Sequence, residues 1–274
     1  MSSASTDSRS PLDDKWASGD AYEAYMGRWS RLLAEQAVRW LDPERGLAWL
    51  DVGCGTGALA SAILKLADPS SVVACDPSES FVEYAKSRLA GSKISVVVAG
   101  SDRLPERPGG FDRIVSGLVL NFVGDPRQFV RDMRERVRPG GIVAAYVWDY
   151  AERMEYLRLF WDAAVATDPK AKGELDEAVR FPMCRPEALE SIFRDAEMKD
   201  VESDAIEIPI HFPTFEDYWR PFLGGTGPVP SYVASLSAEG RAVLRADLES
   251  RVPVGPGGEV ALVARAWVVR GRSD

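Results

Sequence analysis

The stretch Trp49-Leu50-Asp51-Val52-Gly53-Cys54-Gly55-Thr56-Gly57-Ala58-Leu59-Ala60 constrains the fold more than any other part of the chain. A short apolar strand runs into three glycines within five residues and then into the start of a helix. Glycines let the backbone turn sharply and leave no side chain between it and a ligand. The helix that follows presents unpaired backbone N–H groups across the turn. An open α/β sheet uses such a unit to bind a ligand at the carboxyl ends of its strands. Asp51 precedes the first glycine, so the spacing is D-x-G-x-G-x-G. The dinucleotide fingerprint G-x-G-x-x-G is not met, because Ala58 stands where its third glycine belongs. An ordinary strand–turn–helix with a buried acid is the plain alternative.

Composition narrows the classes. A chain of 274 residues, 46% hydrophobic, suits one large α/β domain. Its net charge of −9 argues against a nucleic-acid partner, which requires a basic face. No apolar run approaches the roughly 20 residues that span a bilayer. Residues 1–14 are rich in Ser and Asp without the apolar centre of a secretion signal, and read as a disordered tail. Cys54, Cys75 and Cys184 are odd in number and widely spaced, which predicts neither disulfides nor a metal site. Together these features point to a cytoplasmic protein with a single domain over 15–274.

Periodicity places the elements. Leu33, Ala37, Trp40 and Leu41 share a face, predicting a helix from about 28 to 41. The preceding segment from Tyr22 to Ser30 is dense in aromatics around one cation, Arg28. A second strand, Ser71 to Asp76, ends in an acid 25 residues beyond Asp51. An acid there is placed to accept both ribose hydroxyls of an adenosine. Pro77 and Ser78 then start a helix. Strands follow at 94–98, at 111–122 with its exit, and at 142–148. A helix begun by Asp125-Pro126 stops before Pro139-Gly140-Gly141. Beyond residue 150, helices are predicted over 152–167, 186–196, 214–222 and 231–248, with strands over 201–212 and 260–269. Residues 168–185 read as charged and irregular, and 224–230 as a flexible loop.

The set D-x-G-x-G-x-G, Asp76, Phe111-Asp112-Arg113-Ile114 and the helix–Pro-Gly-Gly–strand unit resembles the class I S-adenosylmethionine (SAM)-dependent methyltransferases. The branch is the small-molecule, type 11, ubiquinone/menaquinone-biosynthesis-like one. The resemblance covers residues 49–148, and it implies an α/β fold: a doubly wound, seven-stranded, mostly parallel Rossmann-like sheet. A helical N-terminal lid (15–45) would precede the SAM-binding core (46–149). Substrate-side helices and a strand (150–259) and a last strand (260–270) would follow. SAM has no phosphate, and a carboxylate beside the loop suits its ammonium and sulfonium side. The implied cofactor contacts are Asp51, Gly53, Gly55 and Gly57 from the loop, and Asp76, Pro77 and Ser78 after the second strand. Ser116 and Asn121 would join them from the fourth strand and its exit, and Tyr25 and Arg28 from the lid. Relatives show G-D-A-x-x-L-P where this chain has Ala99-Gly100-Ser101-Asp102-Arg103-Leu104-Pro105. Gly100 stands in the place of the adenine-binding acid, so Ser101 and Asp102 are expected to substitute for it.

The implied reaction is methyl transfer to a small molecule, through an O, N or C atom. The protein mainly aligns the acceptor and excludes water. Where a base is needed, His211, Asp149 and Tyr22 are the candidates; a structural His211 and a base-free reaction remain open. Trp148, Phe160, Trp161, Phe181, Tyr218, Trp219 and Phe222 favour a hydrophobic or flat acceptor, unless they are simply core. Other classes are a SAM-binding module that does not methylate, which the Asn121 position permits, and an NAD-dependent oxidoreductase, which the glycine spacing disfavours. Oligomeric state is not legible.

Overall fold

The computed structural model describes residues 23–171, 176–224 and 227–274. The expected tail and Tyr22 lie outside them. A π-helical turn, Glu23–Gly27, leads into α1, Arg28–Leu41, whose Leu33, Ala34, Ala37 and Val38 face the interior. Five strands and three helices follow: β1 Ala48–Val52, α2 Ala58–Leu66, β2 Ser71–Asp76, α3 Glu79–Arg88, β3 Ile94–Val98, β4 Phe111–Gly117, α4 Pro126–Arg136 and β5 Val137–Trp148. The expected boundaries hold closely where a side chain punctuates the helix. Ser78 caps α3, its Oγ accepting the Phe81 N–H at 3.4 Å, and Asp125 caps α4 by accepting the Gln128 N–H at 3.0 Å.

The second half is more helical: α5 Glu155–Thr167, α6 Glu177–Arg180, α7 Pro186–Asp195, β6 Lys199–Phe212, α8 Phe215–Trp219, α9 Pro228–Ser235, α10 Ala238–Arg251 and β7 Val260–Arg272. The sheet has the order β3-β2-β1-β4-β5-β7-β6. β1 to β5 pair in parallel, and β7 runs antiparallel to both β5 and β6. β1 is buried along its whole length, as a central strand covered on both faces must be. The order reverses at β1/β4. Right-handed crossovers therefore put α2 and α3 on one face and α4 on the other, and open a crevice at the strands' carboxyl ends.

Three boundaries differ from the sequence reading. β5 begins at Val137, so Pro139-Gly140-Gly141 lies inside its first turn of pairing, where the register with β4 is irregular. The helix expected over 231–248 is two helices, because Ser237 accepts the Gly240 N–H at 3.0 Å and starts a new one. Residues 228–230, expected in a loop, form the first turn of α9, with Pro228 at its start. β6 is an edge strand that pairs only with β7; Ile208, Ile210 and Phe212 are buried, while Glu207, Pro209 and His211 are exposed. That alternation matches the expected one.

Candidate active site

A cleft enclosing about 1090 Å³ of empty space, open mouth included, lies at the carboxyl ends of β1, β2, β4 and β5. Its floor is the glycine loop. The Gly53 and Cys54 N–H groups both donate to the Cys75 carbonyl, at 2.8 and 2.9 Å, locking the turn onto β2. Gly55 has φ +51°, and a Cβ there would meet nothing within 4 Å, so this glycine faces the cleft. At Gly57 (φ +88°) a Cβ would come within 2.6 Å of Leu89, so that glycine serves close packing against α3 and does not line the cleft.

Two acids frame the loop. Asp76 ends β2 and accepts the Gly55 N–H on Oδ2 and the Ser78 N–H on Oδ1, both at 2.9 Å. Burial raises its carboxyl above the usual range, and those two backbone donors hold the rise back. Asp51 is fully buried at the cleft floor, and neither of its oxygens has a hydrogen-bond partner among the described residues. Desolvation pushes it up to about 7, with the Ala60 backbone amide opposing and the neighbouring Asp76 charge adding to the rise. An unsatisfied buried carboxylate is costly and marks a place where a ligand can supply what the protein does not.

The wall opposite is apolar and aromatic. Tyr146, Trp148 and Tyr150 come from β5 and its exit, and Phe122 from the exit of β4. Phe181 packs edge-on against Phe122 (5.2 Å between ring centres) and tilted against Tyr150 (5.6 Å). Leu118, also lining the cleft, takes the left-handed conformation (φ +61°), which a bulky residue adopts only under surrounding constraint. Tyr25, Met26 and Ser30 close one side from the N-terminal segment. That segment is fastened to the loop: the Thr56 hydroxyl donates to Glu23 at 2.7 Å, and Glu23 also pairs with Arg31.

The structure sorts the residues singled out from sequence. Tyr25, Asp51, Gly53, Gly55 and Asp76 line the cleft. Pro77, Ser78, Ser101 and Asp102 do not line it. Ser78 serves as the α3 cap, while Asp102 and Pro77 flank Gly100, a Cβ on which would lie 2.9 and 3.8 Å from them. Ser101 and Asp102 are exposed on a short 3-10 turn. Ser116 is fully buried and donates to the Val52 carbonyl at 2.8 Å, tying β4 to β1. Asn121 is buried off the cleft, its Nδ2 without a partner among the described residues. Arg28 does not line the cleft and lies over the rings of Trp29 (4.0 Å) and Phe212 (4.8 Å).

Of the candidate bases, His211 is exposed on the edge strand. Asp149 is buried but committed: it accepts the Arg265 Nε at 2.7 Å and the Glu152 and Arg153 N–H groups at 3.2 Å. Among the expected aromatics, Trp148 and Phe181 line the cleft, whereas Phe160, Trp161, Tyr218, Trp219 and Phe222 form core. The residue missed was Glu177. It is buried, lines the cleft and accepts a hydrogen bond from the Trp161 indole. Burial pushes it up to about 7.

The family model described as a methyltransferase domain matches residues 50–145. A ubiquinone biosynthesis O-methyltransferase of Rhizobium etli is 33% identical over 103 residues, 37% of this chain and 41% of the relative. An uncharacterised transposon protein of Streptomyces fradiae is 30% identical over 176 residues, 58% of this chain and 50% of the relative. The chain thus spans about half the length, or less, of these relatives. Among solved structures, a Haemonchus contortus phosphoethanolamine N-methyltransferase in complex with SAM aligns over 96% of this chain and 59% of its own, with TM-score 0.57 and 15% identity, a likeness of fold. The matched segment runs from β1 into β5, the part of the sheet that builds the cleft, and it is over this cleft-building segment that the chain is similar to methyltransferase domains.

Proposed function

We propose that this protein transfers a methyl group from SAM to a small, largely apolar or aromatic acceptor. One observation carries the reading: a single cleft joins a glycine loop framed by buried acids to a wall of aromatic side chains. The residues present fit the cofactor. Asp51 is a buried anion site lacking partners among the described residues, suited to the cationic part of SAM. Asp76 retains a free lone pair on each oxygen after taking its two backbone donors, which suits the ribose hydroxyls. Gly55 leaves the open space such a ligand needs.

When bound, SAM supplies a methyl group made electrophilic by the adjoining sulfonium. The chain's own work is then placement and exclusion of water. Asp51 and Asp76 would hold the two ends of the cofactor, and the aromatic wall would lay a flat acceptor beside it. The segment Glu23–Gly27, fastened through Thr56, would cover both. Calorimetry with SAM, S-adenosylhomocysteine and NAD tests the cofactor; tight NAD binding with none to SAM would refute the reading. Turnover of SAM to S-adenosylhomocysteine against a panel of aromatic alcohols and amines then tests transfer.

A further inference from the structure

We propose that the acceptor is an organic amine, received in its cationic form by Glu177 between aromatic faces, and that Glu177 takes the proton the amine must lose before methylation. The proposal rests on the methyltransferase reading and specifies its substrate class.

The first support is the charge of the cleft. Apart from tyrosines and the Cys54 thiol, the ionisable side chains lining it are Asp51, Asp76 and Glu177; no Lys, Arg or His lines it among the described residues. Asp51 and Asp76 belong to the glycine loop, which leaves Glu177 to the acceptor. A carboxylate or phosphate ester would enter this acidic space unpaired, at a large desolvation cost. An ammonium would meet an anion.

The second support is how Glu177 is held. Asp176 starts α6, accepting the Ala178 N–H at 2.9 Å. Its carboxylate takes a two-pronged contact from Arg158, at 2.9 and 2.7 Å. Arg158 is thereby engaged by Asp176, the residue that precedes Glu177. The Trp161 indole donates to one Glu177 oxygen from α5. Arg180 on the same helix favours the anion, Asp176 opposes it, and Tyr25 faces it from the N-terminal segment. At about 7, Glu177 is part ionised near neutrality and able both to attract a cation and to accept a proton.

The third support is the lining. Tyr25, Trp148, Tyr150 and Phe181 supply ring faces in the same cleft. The negative face of such a ring attracts a cation, most strongly when both are desolvated. A purely structural Glu177 needs only to accept the indole N–H, which a neutral amide does equally well.

The chemistry balances. The ammonium gives one proton to the Glu177 carboxylate, which becomes a neutral acid. The freed nitrogen lone pair forms the N–C bond to the methyl carbon as the C–S bond breaks and its electron pair passes to sulfur. An N-methylammonium, a neutral thioether and a protonated Glu177 result, and the acid returns its proton to solvent.

Calorimetry on the full chain loaded with S-adenosylhomocysteine, using benzylamine, benzyl alcohol and benzoate, tests this. Benzylamine should bind about tenfold or more tighter than benzoate, and its affinity should rise between about pH 6 and pH 8 as Glu177 ionises. Glu177→Gln keeps an acceptor for Trp161; it should flatten the pH dependence and remove about tenfold of the amine preference, leaving S-adenosylhomocysteine affinity unchanged. Equal or tighter benzoate binding, no benzylamine binding, or a preference that survives in Glu177→Gln would overturn the proposal. Should Glu177→Gln fail to fold, the charge series and pH dependence of the wild-type chain decide alone. Failure of S-adenosylhomocysteine itself to bind would instead refute the methyltransferase reading.

Discussion

Replacing Asp51 by Asn should make the ligand-free protein more stable and worse at binding. Burial raises the Asp51 carboxyl from its ordinary 3.8 to about 7. At roughly 1.4 kcal/mol per unit, keeping it ionised well above pH 7 costs about 4 kcal/mol. The folded state holds the proton more tightly than the unfolded chain does. Its contribution to stability is therefore fully present below about pH 4 and lost as pH rises towards 7. Asn carries no charge, but its amide also finds few partners at this site, which returns about 1–2 kcal/mol. The net gain is about 2 kcal/mol at pH 8, a rise in Tm of about 4–8 °C for a domain this size. At pH 5 the folded carboxyl is protonated, and only about 1.6 kcal/mol of the cost remains, from ionisation of the unfolded chain; the amide's about 1–2 kcal/mol offsets it, so the gain should vanish. Thermal unfolding at both pH values, alongside calorimetry with SAM, reads this out; binding of the cation should weaken about tenfold or more. A variant that melts lower than wild type at pH 8, or that gains equally at pH 5, would show that Asp51 is not a charge held against its environment.

Other substitutions divide the site from its supports. Asp76→Ala removes both the proposed ribose contacts and the anchor of the Gly55 and Ser78 N–H groups; SAM binding should weaken by about 2–4 kcal/mol in calorimetry, with unfolding still cooperative. Gly55→Val meets open space but must hold a β-branched residue at φ +51°, so stability should fall by about 1–3 kcal/mol in denaturant titration and SAM binding should be lost. Arg28→Ala removes the cation over the Trp29 and Phe212 rings, which does not line the cleft; Tm should drop slightly, by about 0.5–1 kcal/mol of stability, with S-adenosylhomocysteine affinity unchanged.

Much of the architecture was written locally. The glycine loop, the acid ending β2 and the Ser78 and Asp125 caps are short-range signals, and the structure places them where their spacing implies. α1 runs from 28 to 41 as its apolar periodicity predicts. The misses have long-range causes. Ser116 sits one strand from the loop, but its hydroxyl is used to tie β4 to β1, a pairing no local pattern states. Asp149 is a carboxylate at a strand end like Asp76, yet Arg265, 116 residues away, claims it. Arg28 was read as a ligand for a carboxylate because it is the lone cation in an aromatic segment. The fold brings Phe212 of the edge strand beneath it and makes it a packing residue. Glu177 hid in a charged, irregular run. Only the docking of α6 against Trp161 turns an apparently solvated acid into a buried one.

The position of β6 bears on how this protein behaves at high concentration. A terminal strand with one unpaired margin can recruit the same strand of another molecule and extend the sheet between chains. Here Lys199, Glu202, Asp204 and Glu207 are exposed along it, and Pro209 contributes no N–H. Glu202 and Glu207 are held by Arg270 and Arg153. A second copy laid alongside would bring like charges together and find a missing donor in mid-strand. The margin of the sheet is thereby guarded against intermolecular growth, and substitutions that neutralise Glu207 or replace Pro209 by Val would be expected to promote aggregation before they disturb the cleft.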